Sequence, residues 1–327
     1  MGRKYQNAKP KGATLRPVWR SIGAKYMIAA LPFPNIDPVL WSVDIGGFTL
    51  AIRWYALAYI AGFLLAWWWG NRAIRNAQLW VNDTAPMTLK HAEDFLTWAI
   101  VGVIIGGRLG WVLFYSQGAW LDDPTMIYKV WEGGMSFHGG FLGVVVVAIL
   151  FARKYKIPVL SLADILALGV PIGLGLGRLA NFINAELWGK PTTAPWGVVF
   201  PNTPDCPLTW LDPVCARHPS QLYEAILEGI VLFALLAYLA YRRGWLKTPG
   251  ALAGVFFMGY GAARFFVEFF RQGDAQFTSA TNPWGHILRL GQEVDSIGFT
   301  MGQLLSLPMI AVGLLLLIYA RRTSSTT

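Results

Sequence analysis

"LADILALGVPIGLGLGRLANFINAELWG", residues 162–189, is the stretch on which the fold turns. From about 161 to 182 it is apolar and long enough to span a bilayer core, which takes about 20 residues of helix. Gly169, Gly173 and Gly177 recur at four-residue intervals, so another helix backbone can approach closely. The stretch nevertheless ends in Arg178, Asn181, Asn184 and Glu186. If the helix continues, these four occupy roughly one half of its surface. One reading is a frayed end at the lipid–water interface, with the arginine snorkelling and the asparagines capping. Four polar groups on one side favour a second reading, a site.

The rest of the chain has the same apolar character. Hydrophobic residues are 55% of the 327, charged residues 14%, and the mean hydropathy is +0.44, more apolar surface than a water-soluble domain could bury. About seven segments read as spans, near 50–70, 95–115, 137–152, 161–182, 220–241, 250–270 and 301–320. The expected fold is therefore all-α, a polytopic membrane bundle of about seven helices. The links with Arg72, Arg75 and Lys90, with Arg153, Lys154 and Lys156, and with Arg242, Arg243 and Lys247 are basic, as are Arg321 and Arg322. They alternate to one side, which the positive-inside rule makes cytoplasmic. The links around Asp122, Asp123 and Glu132 and the Pro-rich 190–218 stretch then face outward, and the C-terminus faces inward.

The net charge of +9 is concentrated at the start, where the first 26 residues hold seven basic groups and no acid. The remainder is near neutral, and no basic patch argues for nucleic acid. Residues 1–26 are expected to be a disordered extension, with Met27 an alternative first residue, because "MIAAL" before "PFPNIDP" is too short for a signal-peptide core. Residues 27–322 are then expected to form one transmembrane domain, with an outer loop region at about 183–219, and 323–327 a disordered tail. Cys206 and Cys215 are spaced compatibly with a disulfide if their loop faces an oxidising compartment, but two thiols alone do not decide it. His91, His138, His218 and His286 are scattered without ligand spacing, so neither a metal nor another cofactor is expected.

Two further clusters carry chemistry. "GYGAARFFVEFFR" places Tyr260, Arg264, Glu268 and Arg271 at i, i+4, i+8 and i+11, within roughly 80° of one another on a helix. Arg264 sits in the apolar region, where an ionised group needs a partner, and Glu268 one turn away is the obvious one. Taken alone, that pair also fits a structural salt bridge. "WEGGMSFHGGFLG" presents His138 between two pairs of glycines, which let a backbone or ligand approach the ring. A hydrogen-bonded structural histidine is the plainer reading. Lesser members are Tyr55 in "RWYALAY", Arg108 in "GGRLGW", and Arg217, His218, Gln221, Tyr223 and Glu224 in "RHPSQLYE".

Arginines in the outer half of a bundle, flanked by tyrosine, asparagine and carboxylate, suit an anion, since guanidinium pairs its donors with phosphate oxygens. In a membrane the abundant phosphate ester is a phospholipid headgroup. These residues leave open whether the lipid is cut, moved or merely bound. A transporter is the rival from another class, although no internal inverted repeat is evident. A non-catalytic phospholipid-binding protein is a third option.

The four blocks "VWEGGMSFHGGFLG", "GRLANFINAELWG", "RHPSQLYE" and "GYGAARFFVEFFRQGDAQF" resemble, in order, those of the prolipoprotein diacylglyceryl transferases. The likeness runs from about "PFPNIDP" to Arg322. The resemblance implies a seven-helix enzyme of the bacterial inner membrane, with its site toward the periplasm. Such an enzyme moves the diacylglyceryl group of phosphatidylglycerol to the lipobox cysteine in the signal peptide of a preprolipoprotein. It implies that Arg178 binds phosphatidylglycerol, that Arg264 is a second essential arginine, and that Tyr55, His138, Asn181, Glu186, Tyr260 and Glu268 have functional roles. Within that reaction Arg178 and Arg264 are expected to hold the phosphate, Glu268 to orient Arg264, Asn181 and Glu186 to position the headgroup, and His138 to act as base. The basic tail, the long 279–300 segment and the cysteine pair depart from the family pattern.

Overall fold

The computed structural model describes residues 30–201, 203, 206, 214–291 and 296–324; the basic tail 1–26 and residues 325–327 lie outside them. Seven long helices are described: α1 (Trp54–Arg75), α2 (Leu89–Phe114), α3 (Phe137–Tyr155), α4 (Val159–Ile183), α5 (Ser220–Arg243), α6 (Ala251–Val267) and α7 (Met301–Ser324). Five of them, α2, α3, α4, α5 and α7, are long and apolar enough to cross a membrane. Helix α6 is apolar but has 17 residues. Large apolar side chains such as Phe63, Leu64, Ile104, Leu142, Ile230 and Leu315 stand exposed along the helices, an arrangement that suits hydrocarbon and not water.

Helix ends follow local chemistry. Thr88 caps α2 in a reciprocal box with His91, and the Ser136 side chain accepts from the backbone of Gly139 to start α3. Lys156 adopts a left-handed conformation that closes α3, and Pro158 precedes the first residue of α4. Helix α5 is not uniform, because Ala225–Val231 is wound as a π-helix. Such segments are rare and occur often at functional sites.

Helix α4 is central: 44% of its apolar window is buried inside the protein, against 17–33% for the other four spans. It packs on α1 and on the π segment of α5, while α2 pairs with α3 and α6 with α7. Glycines let the backbones of these pairs approach closely. A side chain at Gly139 of α3 would strike the backbone of Gly106 and Gly110 in α2, and one at Gly175 of α4 would meet Gly229 of α5 at 3.1 Å. The glycines after His138 therefore serve the α2–α3 contact. Of the three regularly spaced glycines of α4, Gly169 meets Ala66 of α1, whereas Gly177 faces open space.

At the end of the bundle that carries the basic links, Asp164 of α4 is fully buried and accepts the backbone N–H groups of Gly250 and Ala253 at 2.7 and 2.8 Å. It thus caps the start of α6 from a different helix. Asp164→Ala is expected to cost about 2–4 kcal/mol, the loss of two charge-assisted bonds at a helix N-terminus, and to lower the thermal unfolding temperature in detergent. Asp164→Asn should cost less.

The opposite end is covered by extended chain. Strands β2 (Val39–Ile45) and β3 (Phe48–Arg53) form an antiparallel hairpin that runs straight into α1. Strand β1 (Leu31–Pro32) pairs in parallel with β4 (Val198–Val199), and β5 (His286–Arg289) pairs with β6 (Gly298–Thr300). The bridge Gly189↔Arg271 ties the link after α4 to the chain after α6, and Pro191↔Arg217 and Val198↔Arg217 fold that link on itself. Cys206 and Cys215 form a disulfide within that link, their Cα atoms 5.7 Å apart. Arg108 holds another link in place: its guanidinium donates to the carbonyls of Met126, Gly133 and Gly134 and lies 4.9 Å from the Trp111 ring.

Candidate active site

The covered end gathers the polar residues of α4, α5 and α6. Arg178, one turn before the end of α4, reaches Glu224 of α5, with Nε 3.1 Å from Oε2, and comes within 3.8 Å of Glu228 Oε2. Arg264, near the end of α6, pairs through Nη1 with Oε1 of the same Glu224 and through Nη2 with Glu268 Oε2 at 2.8 Å. Arg271 extends the chain of charges, its Nη1 lying 3.7 Å from Glu268 Oε1 and its Nη2 3.0 Å from the exposed Asp274. Glu224 thus joins two arginines from two different helices.

Exposure separates the two kinds of charge. The side chains of Glu224 and Glu228 are 0% exposed and that of Glu268 is 3%, whereas Arg178 and Arg264 keep 19% and 14%. An approaching anion would meet guanidinium before carboxylate. Three arginines face three buried glutamates, so the cluster is self-neutralising, the condition under which ionised groups persist in a low dielectric.

The remaining predicted residues attach to this core in a chain of hydrogen bonds. Arg178 Nη1 donates to Asn181 Oδ1 at 3.5 Å, and Asn181 Nδ2 donates to Glu186 Oε1 at 2.7 Å and to the Tyr55 hydroxyl at 3.3 Å. Glu186 does not lie on the helix. Helix α4 stops at Ile183, and left-handed Ala185 and Leu187 turn the chain back so that Glu186 returns to Asn181. The expectation of four polar residues on one helical face is corrected accordingly; contact comes from a turn. The same applies to Arg271, because α6 ends at Val267 and the chain turns before Arg271 bridges to Gly189. Tyr260 stacks on Phe256 and lies in the field of Glu228, Arg264, Arg178 and Glu224.

His138 stands apart. It is exposed on the first turn of α3, beside Phe137, and among the described residues no hydrogen bond or ion pair joins it to the arginine cluster.

The block at the start of α5 serves as scaffold and counter-ion. Gln221 Nε2 donates to the carbonyl of Glu186, and Ser220 Oγ donates to that of Leu187 at 3.0 Å, which fixes the turn after α4. Tyr223 joins His218 Nδ1 at 3.0 Å and accepts from Trp196 Nε1 at 2.8 Å. Burial and the nearby Lys190 ammonium push the His218 imidazole below its usual range. Glu224 and Glu228 are the members of the cluster that sequence reasoning undervalued or missed. Their signal was two carboxylates four residues apart in an otherwise apolar span.

The chain matches the family model described as prolipoprotein diacylglyceryl transferase over residues 38–319. Among relatives, the phosphatidylglycerol–prolipoprotein diacylglyceryl transferase of Cereibacter sphaeroides (strain ATCC 17025 / ATH 2.4.3) is 58% identical over 294 residues, covering 90% of this chain and 99% of that protein. Those of Roseobacter denitrificans and Rhizobium meliloti bear the same name and are 54% and 49% identical, each across 91% of this chain and covering 100% and 97% of their own lengths. The match takes in all three helices that meet at Glu224 and the turn that returns Glu186. The chain belongs to the prolipoprotein diacylglyceryl transferase family.

Proposed function

We propose that this membrane protein transfers the diacylglyceryl group of phosphatidylglycerol to the lipobox cysteine thiol in the signal peptide of a preprolipoprotein, forming a thioether and releasing glycerol phosphate. The enzyme sits in the bacterial inner membrane. Its basic links and C-terminus face the cytoplasm, as the positive-inside rule requires, and the arginine cluster faces the periplasm. The observation that carries this reading is the joining of Arg178 and Arg264 by one buried carboxylate, Glu224. It holds two forked cations on the accessible side of the cluster, aimed where a lipid phosphate would lie once its acyl tails enter between the helices.

The chemistry follows from what must change charge. The acceptor thiol, with an ordinary pKa of about 8.5, becomes a thiolate and attacks the glycerol carbon that bears the phosphate ester. The carbon–oxygen bond breaks and its electron pair goes to the phosphate, which gains charge as it leaves. Guanidinium groups held in place before the reaction lower the barrier by stabilising that charge without reorganising. Glu224 and Glu268 orient Arg264, and Glu224 also orients Arg178. Asn181, Glu186, Tyr55 and Tyr260 position the headgroup beside them.

His138, exposed at the same end of the bundle, is the proposed acceptor of the thiol proton, within reach of a peptide arriving from outside. His138→Gln is expected to lower kcat about a hundredfold or more at neutral pH, with partial recovery at higher pH as more thiol ionises unaided. Retained turnover at neutral pH would remove it as the base. The reading as a whole is tested by mass spectrometry of a lipobox peptide incubated with purified protein and phosphatidylglycerol. The expected product is a thioether-linked diacylglyceryl adduct; lipid binding without an adduct would make the protein a binder only.

A further inference from the structure

Glu228 is the one buried glutamate of the cluster that the mechanism above leaves idle. It lies in the π segment of α5, its side chain 0% exposed, and among the described residues neither carboxylate oxygen has a hydrogen-bond partner. Its ion pair with Arg178 is long, 3.8 Å from Nε. Glu224, by contrast, touches Arg178 and Arg264, and Glu268 touches Arg264 and Arg271. Gly229 packs directly on Gly175, which closes that flank to water. The charged and titratable groups that face Glu228 are Arg178 from α4, Glu224 from its own helix, Arg264 and Tyr260 from α6, and Arg271 beyond α6.

We infer that Glu228 takes up a proton when a phosphodiester anion binds at Arg178 and Arg264, so that lipid entry adds no net charge to the buried cluster. This rests on the proposed lipid-phosphate role of the two arginines. The three guanidinium groups are already matched by three buried glutamates, with the exposed Asp274 also on Arg271, and a phosphodiester brings one further negative charge into a low dielectric. An ionised carboxylate is disfavoured there unless it is paired. Once Arg178 turns its donors to the phosphate, Glu228 loses its contact while Glu224 stays negative one turn away. Of the three glutamates it is the one with least to lose by becoming neutral. The proton comes from solvent through the opening that leaves the arginines partly exposed.

The sign follows directly. A ligand that prefers the protonated protein binds more weakly as pH rises, by up to about tenfold per pH unit for one proton above the pKa of the free carboxyl. The full-length protein in detergent is titrated with short-chain phosphatidylglycerol between about pH 6 and 9, in buffers of unequal ionisation enthalpy, which reports protons taken up per lipid bound. Wild type is expected to take up close to one proton in the upper part of that range. Glu228→Gln, permanently neutral, should take up almost none and bind with an affinity that pH no longer moves. Uncharged diacylglycerol should bind wild type without proton uptake.

A purely structural glutamate would leave wild-type binding free of proton uptake, and that result overturns the inference. So does Glu228→Gln binding with the wild-type pH dependence. Should that variant fail to fold, the infrared difference spectrum of wild type on adding phosphatidylglycerol decides the matter. A new protonated-carboxyl band supports the inference and its absence overturns it. Lipid binding and transfer without proton uptake would leave the enzymatic reading standing. Neither binding nor adduct would end both.

Discussion

Arg264→Ala is expected to lower kcat/KM for diacylglyceryl transfer about a thousandfold, close to 4 kcal/mol of transition-state stabilisation. Removing one preorganised donor to a developing oxyanion typically costs a hundredfold to a thousandfold, and this guanidinium offers more than one. Its loss also leaves Glu224 with Arg178 alone and Glu268 with Arg271 alone. Transfer of labelled lipid to a lipobox peptide, measured beside the thermal unfolding of the same preparation, separates the two effects. Arg264→Lys keeps the charge but loses the planar fork that engages Glu224 and Glu268 together, and is expected to recover only part of the rate. Near-normal turnover in Arg264→Ala in a folded protein would remove the arginine from the reaction.

Glu224→Gln carries the second large effect, expected at about a hundredfold in kcat/KM. The residue is 0% exposed and contacts Arg178 on one oxygen and Arg264 on the other, so removing its charge loosens both cations in one step. Breaking a buried pair from one side costs about 3–5 kcal/mol of stability where the remaining charge stays uncompensated. Here the site's outward opening and the lipid's own phosphate can compensate, so most of the effect should fall on the rate. Glu224→Gln and Arg178→Ala should be strongly non-additive, because each removes what the other holds. Additive losses in that double-mutant cycle would mean that the two groups act independently.

The helices were readable because hydrocarbon imposes a length and a composition on a span; the seven long helices fall where the apolar segments lie, and five of them are long and apolar enough to cross a membrane. What hydropathy could not reach is the way helices end. The run through Asn184 and Glu186 continues the helical pattern on paper, yet left-handed Ala185 and Leu187 turn the chain back. The two-residue strands β1 and β4 leave no periodic signal because they are too short to alternate. The cysteine spacing permitted a bridge without requiring one; the fold of the link supplied the geometry.

At the site, Arg178, Arg264 and Glu268 stood out in the sequence because an ionised group inside an apolar span must have a reason. Glu224 carries the same signature but ranked only as a lesser member of its block, and Glu228, one turn further on, was not singled out. Their partners lie 40 or more residues away in the chain, and only packing could reveal the sharing of Glu224. Arg108, which looked like a further member, spends its donors on three backbone carbonyls. His138 was singled out by its glycine neighbours, and those glycines turn out to serve the contact between α2 and α3.

The account comes down to two guanidinium groups from separate helices acting on one phosphate. A structure of the protein with phosphatidylglycerol bound measures this directly. Phosphate oxygens within hydrogen-bonding distance of both Arg178 and Arg264 are the predicted result. A headgroup seated elsewhere, with both arginines still turned inward on Glu224, would contradict it.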